Sequence, residues 1–248
     1  MIILSFLFFL TAILYSSVGF GGGSTYLALL LIWGIPYQIL PVIALCCNII
    51  VVSGNCFNYI KEGNINFKLL TPYLISSIPL AFIGGTLSIS KDFFEVLLFT
   101  VLIIAGTLLL FNFRSFDDTD QTHGKIPKTF SLFIGGAIGF VSGIVGIGGG
   151  IFLSPILLVI RAGKAKHIAT ASSLFILINS ISGIFGQFTK QTVFYGIQSY
   201  WLLFLSVLIG GQIGNFLNIK FFPAKILALV TSVLVIFVSI RMGLKLFI

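Results

Sequence analysis

The chain has 248 residues, 58% of them apolar and only 8% charged, with a mean hydropathy of +1.16. A soluble domain carries roughly 25% charged residues because its outside must face water; this composition excludes a water-soluble globular protein and makes the lipid bilayer its solvent. The 14 Lys and Arg outnumber the 6 Asp and Glu, for a net charge of +8, but they are scattered singly through short polar segments, so a nucleic-acid partner has no basic patch to rest on.

Residues 1–60 contain no Asp, Glu, Lys or Arg. The opening stretch MIILSFLFFLTAILYSS lacks a basic n-region and is expected as a retained span, not a cleaved signal peptide. A spanning helix needs roughly 20 apolar residues, so the run must turn inside itself, and Gly34-Ile35-Pro36 is the turn signal. Polar punctuation at Lys61–Lys68, Lys91–Glu95, Arg114–Lys128, Arg161–His167, Lys190 and Lys220–Lys225 leaves segments of about 2–34, 37–59, 69–89, 94–112, 129–160, 168–188, 198–219 and 225–245. The expectation is an all-α integral membrane protein of about eight transmembrane helices. It reads as a first repeat over 1–112, a polar linker over 113–128 and a second repeat over 129–248. Lys and Arg divide almost evenly between the two faces, so the positive-inside rule is nearly silent; the dense basic loop Arg161–Lys166 favours the cytoplasm for its own face and the outside for both termini.

The two long segments, 2–34 and 129–160, exceed 30 residues and align without gaps at a spacing of 127. Val18-Gly19-Phe20-Gly21-Gly22-Gly23 matches Val145-Gly146-Ile147-Gly148-Gly149-Gly150. Ser53-Gly54 corresponds to Ser182-Gly183 at a spacing of 129, and Gly84-Gly85 to Ile213-Gly214. Four crossings per half predicts halves running in the same direction; two crossings by each long segment would instead make the repeat inverted.

Gly19 with Gly23 and Gly146 with Gly150 fit the small-residue spacing that lets helices approach in lipid. Three consecutive glycines are poor helix interior, however, and predict a local unwinding, which lipid tolerates only where it is buried in protein or lines a cavity. A helix restarting after such a break presents free N–H groups and the positive end of its dipole, an anion site. The candidate substrate-binding residues are Gly19, Gly21, Gly22, Gly23, Ser24 and Thr25 at the first break, and Gly146, Gly148, Gly149 and Gly150 at the second. Asn48, Thr170, Ser172, Ser173, Asn179 and Gln212 are added from the polar stretches of the following segments.

Cys46, Cys47 and Cys56 share one apolar segment without metal or disulfide spacing, and no metal or cofactor is expected. No charged residue falls in the middle of a predicted span, which disfavours an intramembrane carboxylate relay and leaves a cation without a counter-charge. Neutral donors and helix ends favour a small anionic substrate. His123 and His167 lie outside the spans with no carboxylate partner, so an enzyme has no support.

The V-G-x-G-G-G start of each half, the Ala169-Thr170-Ala171-Ser172-Ser173-Leu174 helix and the P-L-A-F-I-G-G segment over 79–85 resemble the TauE/SafE family of sulfite exporters over nearly the whole chain. The resemblance implies a multi-pass permease of the bacterial inner membrane, usually an exporter of sulfite, sulfoacetate, thiosulfate or a related organosulfur anion. The first half departs from the pattern with Cys46-Cys47 where the second has Ser172-Ser173. An anion-selective channel filtered by the same glycine elements is the alternative, and whether the chain forms a homo-oligomer is left open.

Overall fold

The computed structural model describes residues 1–17, 19–63, 65–112, 127–160, 162–163, 165–190 and 197–218, with scattered positions from 229 to 244. Among these residues the chain is all helical: α1 (Ile2–Ser17), α2 (Gly23–Ile32), α3 (Leu40–Lys61), α4 (Phe67–Thr86), α5 (Lys91–Asn112), α6 (Lys128–Val145), α7 (Gly150–Val159), α8 (Ala165–Gln187) and α9 (Trp201–Asn218). Five stretches are long and apolar enough to cross a membrane: Leu40–Lys61, Phe67–Thr86, Lys128–Val145, His167–Gln187 and Ile197–Leu217. Most of the expected linker, Arg161, Lys164 and most of the expected eighth span lie outside the described residues.

The molecule is apolar on the outside, and within it an apolar core encloses a set of buried polar side chains. Phe57, Phe133, Phe185 and Phe216 are exposed, whereas Ser16, Asn48, Asn55, Thr170, Ser172 and Ser180 are fully buried. An apolar exterior of this kind suits a bundle whose solvent is lipid.

Glycines set how closely the helices pack and show which way they run. A side chain at Gly135, Gly139 or Gly143 of α6 would strike the backbone of Tyr73, Ser77 or Ala81 of α4, so these two helices lie parallel. Gly210 and Gly214 of α9 meet the Phe9 and Ile13 carbonyls of α1 in the same manner. Gly211 rests on Val51, and Gly54 faces Asn215, which makes α9 parallel to α3. Helix α1 therefore also runs with α3. Gly186 against Phe82, together with the Ser182 hydroxyl donating to the Ile78 carbonyl, sets α8 parallel to α4. Helix α3 instead opposes α8, since Leu45 meets Gly183 while Asn48 and Ile176 share a contact at Gly148.

Two expectations are corrected by these directions. Segment 2–34 does not cross once, because α1 runs with α3 whereas α2 starts beside Asn48 and returns to the Leu40 end of α3. The two pieces fold into a hairpin, closed by the stacked rings of Phe8 and Tyr26 at 4.7 Å. At ten residues α2 rises about 15 Å, half of a hydrocarbon core of about 30 Å. Segment 129–160 does the same, with Gly149 turned back against Ile138 of α6. The second correction follows: α3 and α8, counterparts in sequence spacing, run in opposite directions, so the same-direction arrangement does not hold. Glycines in the left-handed region make the reversals: Gly19 (φ 81°) and Gly22 (φ 83°) in one segment, Gly146 (φ 89°), Gly148 (φ 84°) and Gly149 (φ 78°) in the other. Other residues reach that region only with strain.

Candidate substrate site at the two glycine breaks

The hairpin tips meet inside the bundle around Asn48, which is fully buried on α3. Its Nδ2 donates to the Ile147 carbonyl of the second break at 2.9 Å. A Cβ on Gly23 would sit 2.6 Å from that nitrogen and 2.7 Å from the Ile147 oxygen, and one on Gly148 would sit 2.7 Å from the nitrogen. Gly21 also lies against the Asn48 amide. One side chain thus touches both breaks, and only glycine leaves room for it.

Around this centre the backbone is polar and underused. Gly22 caps α2 with no side-chain hydrogen bond. Among the described residues, no acceptor bonds the amides of Gly21, Gly22 and Gly23, nor those of Ile147, Gly148, Gly149 and Gly150, and all seven residues are buried. A buried amide without a partner costs about 1–3 kcal/mol, and the start of each helix leaves such amides free to meet a hydrogen-bond acceptor. Asn48 Oδ1 and the hydroxyls of Ser172 and Ser180 are also buried without a partner. Because Nδ2 faces a carbonyl, Oδ1 must be the acceptor, and it suits a donor such as the hydroxyl of a protonated oxyanion.

The remaining expected site residues divide. Ser173 of α8 donates to the Gly19 carbonyl, joining the first break to the helix that follows the second. Gly150 packs on Ile176 and the Ser172 carbonyl, and Thr170 is buried one turn from Ser173. Asn179 turns back, its Nδ2 donating to the Phe175 carbonyl at 2.9 Å, with Oδ1 unpartnered. Ser24 and Thr25 follow the break as expected, but both hydroxyls engage the Tyr15 hydroxyl, at 3.3 and 2.7 Å. Gln212 does not join the cluster; it sits against Gly54 on an exposed face of α9, six residues along α3 from Asn48, which is about 9 Å of helix rise. The site also contains Tyr15 and Tyr26, which no sequence signal separated from the chain's 7 Tyr and 27 Phe.

Among the described residues, no carboxylate enters this centre. Glu95 sits in the first turns of α5 as expected, yet it is buried, 3.8 Å from the exposed Lys91 ammonium. The three cysteines are free thiols.

A helical bundle with an apolar outer shell, and two broken hairpins meeting at a buried polar centre that is uncharged among the described residues, has the architecture of a multi-pass membrane protein. The family model described as Sulfite exporter TauE/SafE matches residues 4–242, and the chain belongs to that family. It is 28% identical over 244 residues to the probable membrane transporter protein y4hK of Sinorhizobium fredii, covering 96% of each chain. It is 30% identical to the probable membrane transporter protein ORF9 of a Sinorhizobium species, over 98% of this chain and 92% of the relative. The similarity extends to a probable membrane transporter protein of Methanocaldococcus jannaschii, at 24% identity over 91% of this chain and 89% of the relative. No solved structure matches.

Proposed function

We propose that this transporter moves a small sulfur-containing anion, such as sulfite, sulfoacetate or thiosulfate, out of a bacterial cell across the inner membrane. The observation that carries the reading is the pair of unbonded amide sets, one on each glycine break, on residues packed around Asn48. Amide dipoles in a site stripped of water attract an anion without burying a lysine or arginine. In this reading the chain is two inverted halves. The α1–α2 hairpin and α3–α5 form one half, and the α6–α7 hairpin, α8, α9 and the final segment form the other. The bound anion is exposed first to one face and then to the other as the halves rock about Asn48.

The test is uptake of a panel of labelled anions by proteoliposomes containing the purified chain. Saturable flux with counterflow for sulfite or an organosulfonate is the expected result. Ohmic single-channel current would convert the site into a filter, and the absence of flux for every anion in the panel would overturn the reading. Single-cysteine probes at Thr170, Ser173 and Asn179, on a background without native cysteines, should be shielded from polar thiol reagents by the transported anion.

A further inference from the structure

A second polar place lies outside the glycine breaks, at the end of α8. A cavity of about 70 Å³ opens there between the start of α3, the α4–α5 turn and the end of α6, and Ile144 and Pro41 form its inner wall. Pro41 is also the residue against which Gly146 packs, so the cavity abuts the second break. Its rim carries Lys190 and Gln187, with Tyr37, Gln38 and Ser88 beside them. Among the described residues, Lys190 is the one charged residue in that lining. The Glu95 carboxylate, next in sequence to the lining residue Phe94, is not part of it and faces Lys91 instead.

The bonding of this rim is unusual. Lys190 Nζ donates to the Leu87 carbonyl and, at 3.1 Å, to Gln187 Oε1. Gln187 Nε2 donates in turn to the Gly143 carbonyl at 2.8 Å, three residues before Gly146. An ammonium has three donors, so one N–H of Lys190 remains for a ligand. Burial lowers the Lys190 pKa from the ordinary lysine value. A half-desolvated cation of this kind gains more from an arriving anion than a fully hydrated one.

We propose that Lys190, positioned by Gln187, is the capture point for the transported anion on the face where α8 ends, holding it beside the second break before it passes to the amides around Asn48. The proposal rests on the anion-transport reading above. The spacing of 129 that pairs Ser53-Gly54 with Ser182-Gly183 also pairs Lys61 with Lys190, and Lys61 stands exposed at the end of α3. Because α3 and α8 run in opposite directions, these two lysines stand at opposite ends of the bundle.

The experiment measures sulfite flux in proteoliposomes for the wild type, Lys190→Gln and Lys190→Arg, at low and high ionic strength. Loss of one charge-assisted contact should raise KM by about tenfold in Lys190→Gln at low salt. Added salt should shrink the difference, kcat should stay within about twofold, and Lys190→Arg should restore most of the KM. A second readout needs no transport: sulfite should slow acylation of Lys190 by an amine-reactive ester, followed by mass spectrometry, while Lys68 reacts as before. Sulfite flux with an unchanged KM in Lys190→Gln overturns the capture point and leaves the transport reading standing. If the wild type carries no anion at all, the transport reading fails. The capture role falls with it; protection of Lys190 by sulfite would then leave an anion-binding residue without transport, and equal acylation with and without sulfite would remove that as well.

Discussion

The two glycine breaks share one sequence pattern but differ in what surrounds them. After the first break come Ser24 and Thr25, whose hydroxyls are tied to Tyr15 on the preceding helix. After the second come Ile151 and Phe152, which offer nothing polar. Each break is instead served from the opposite segment: Asn48, following the first, donates to Ile147 of the second, and Ser173, following the second, donates to Gly19 of the first. The repeated motif supplies backbone, while the exchanged helices supply side chains. Neither broken segment makes the site alone, and a hinge between them would alter both breaks at once.

The largest predicted effect comes from filling the breaks. Gly149→Leu would drive a side chain into Ile138 and Phe175 at a position with φ 78°, and Gly22→Leu would meet the Tyr26 ring at φ 83°. Flux should fall more than about 100-fold in both, a barrier increase of roughly 2.7 kcal/mol or more, with protein still present in the membrane. Wild-type flux from well-inserted Gly149→Leu would mean that the breaks only pack helices.

The exchanged side chains come next. Asn48→Ala deletes a bond made inside the protein and orphans the Ile147 carbonyl, so flux should drop about 10- to 100-fold, the equivalent of roughly 1–3 kcal/mol. Ser173→Ala should lose less, about tenfold at most, because its hydroxyl is shared with the Ala169 carbonyl. Equal, negligible effects in both variants would show that the exchange between segments is incidental.

A smaller and differently shaped effect is expected at Thr25. Its hydroxyl is committed to Tyr15, so Thr25→Val should cost about 1 kcal/mol of stability and leave the KM for sulfite within about twofold. A tenfold rise in KM without loss of stability would move Thr25 into the substrate site and make the first break richer in ligands than the second.

The smallest effect is expected from Glu95→Gln. Glu95 lies on α5, outside the cluster around Asn48, and its partner is the exposed Lys91. The pH dependence of flux should be unchanged when normalised to membrane protein. Loss of pH-driven flux with retained exchange would make this buried carboxylate a proton carrier and place coupling outside both breaks.

Much of this was legible in the sequence, for reasons specific to lipid. Apolar runs of 20 or so residues and the scarcity of charge mark membrane helices because no other backbone arrangement except a closed barrel satisfies its polar groups there. The positions of α3, α4, α8 and α9 accordingly fall within three residues of the expected segments. The breaks were legible because consecutive glycines have a local cost that does not depend on neighbours. Counting each long segment as one crossing failed, since hydropathy records how much apolar chain there is and not where it reverses. The reversals depend on left-handed glycines whose angles only the packed structure fixes.

Composition and local pattern alone therefore determined the solvent, the helical class and the glycine breaks, because each follows from what a single residue or short run can do in lipid. Only the tertiary structure decided that the broken segments are hairpins, that α3 and α8 oppose one another, that Gln212 stands apart and that Asn48 is the centre. Those facts are contacts between residues about 100 positions apart, such as Asn48 with Ile147. They depend on helix direction and depth in the bundle, which no local periodicity carries.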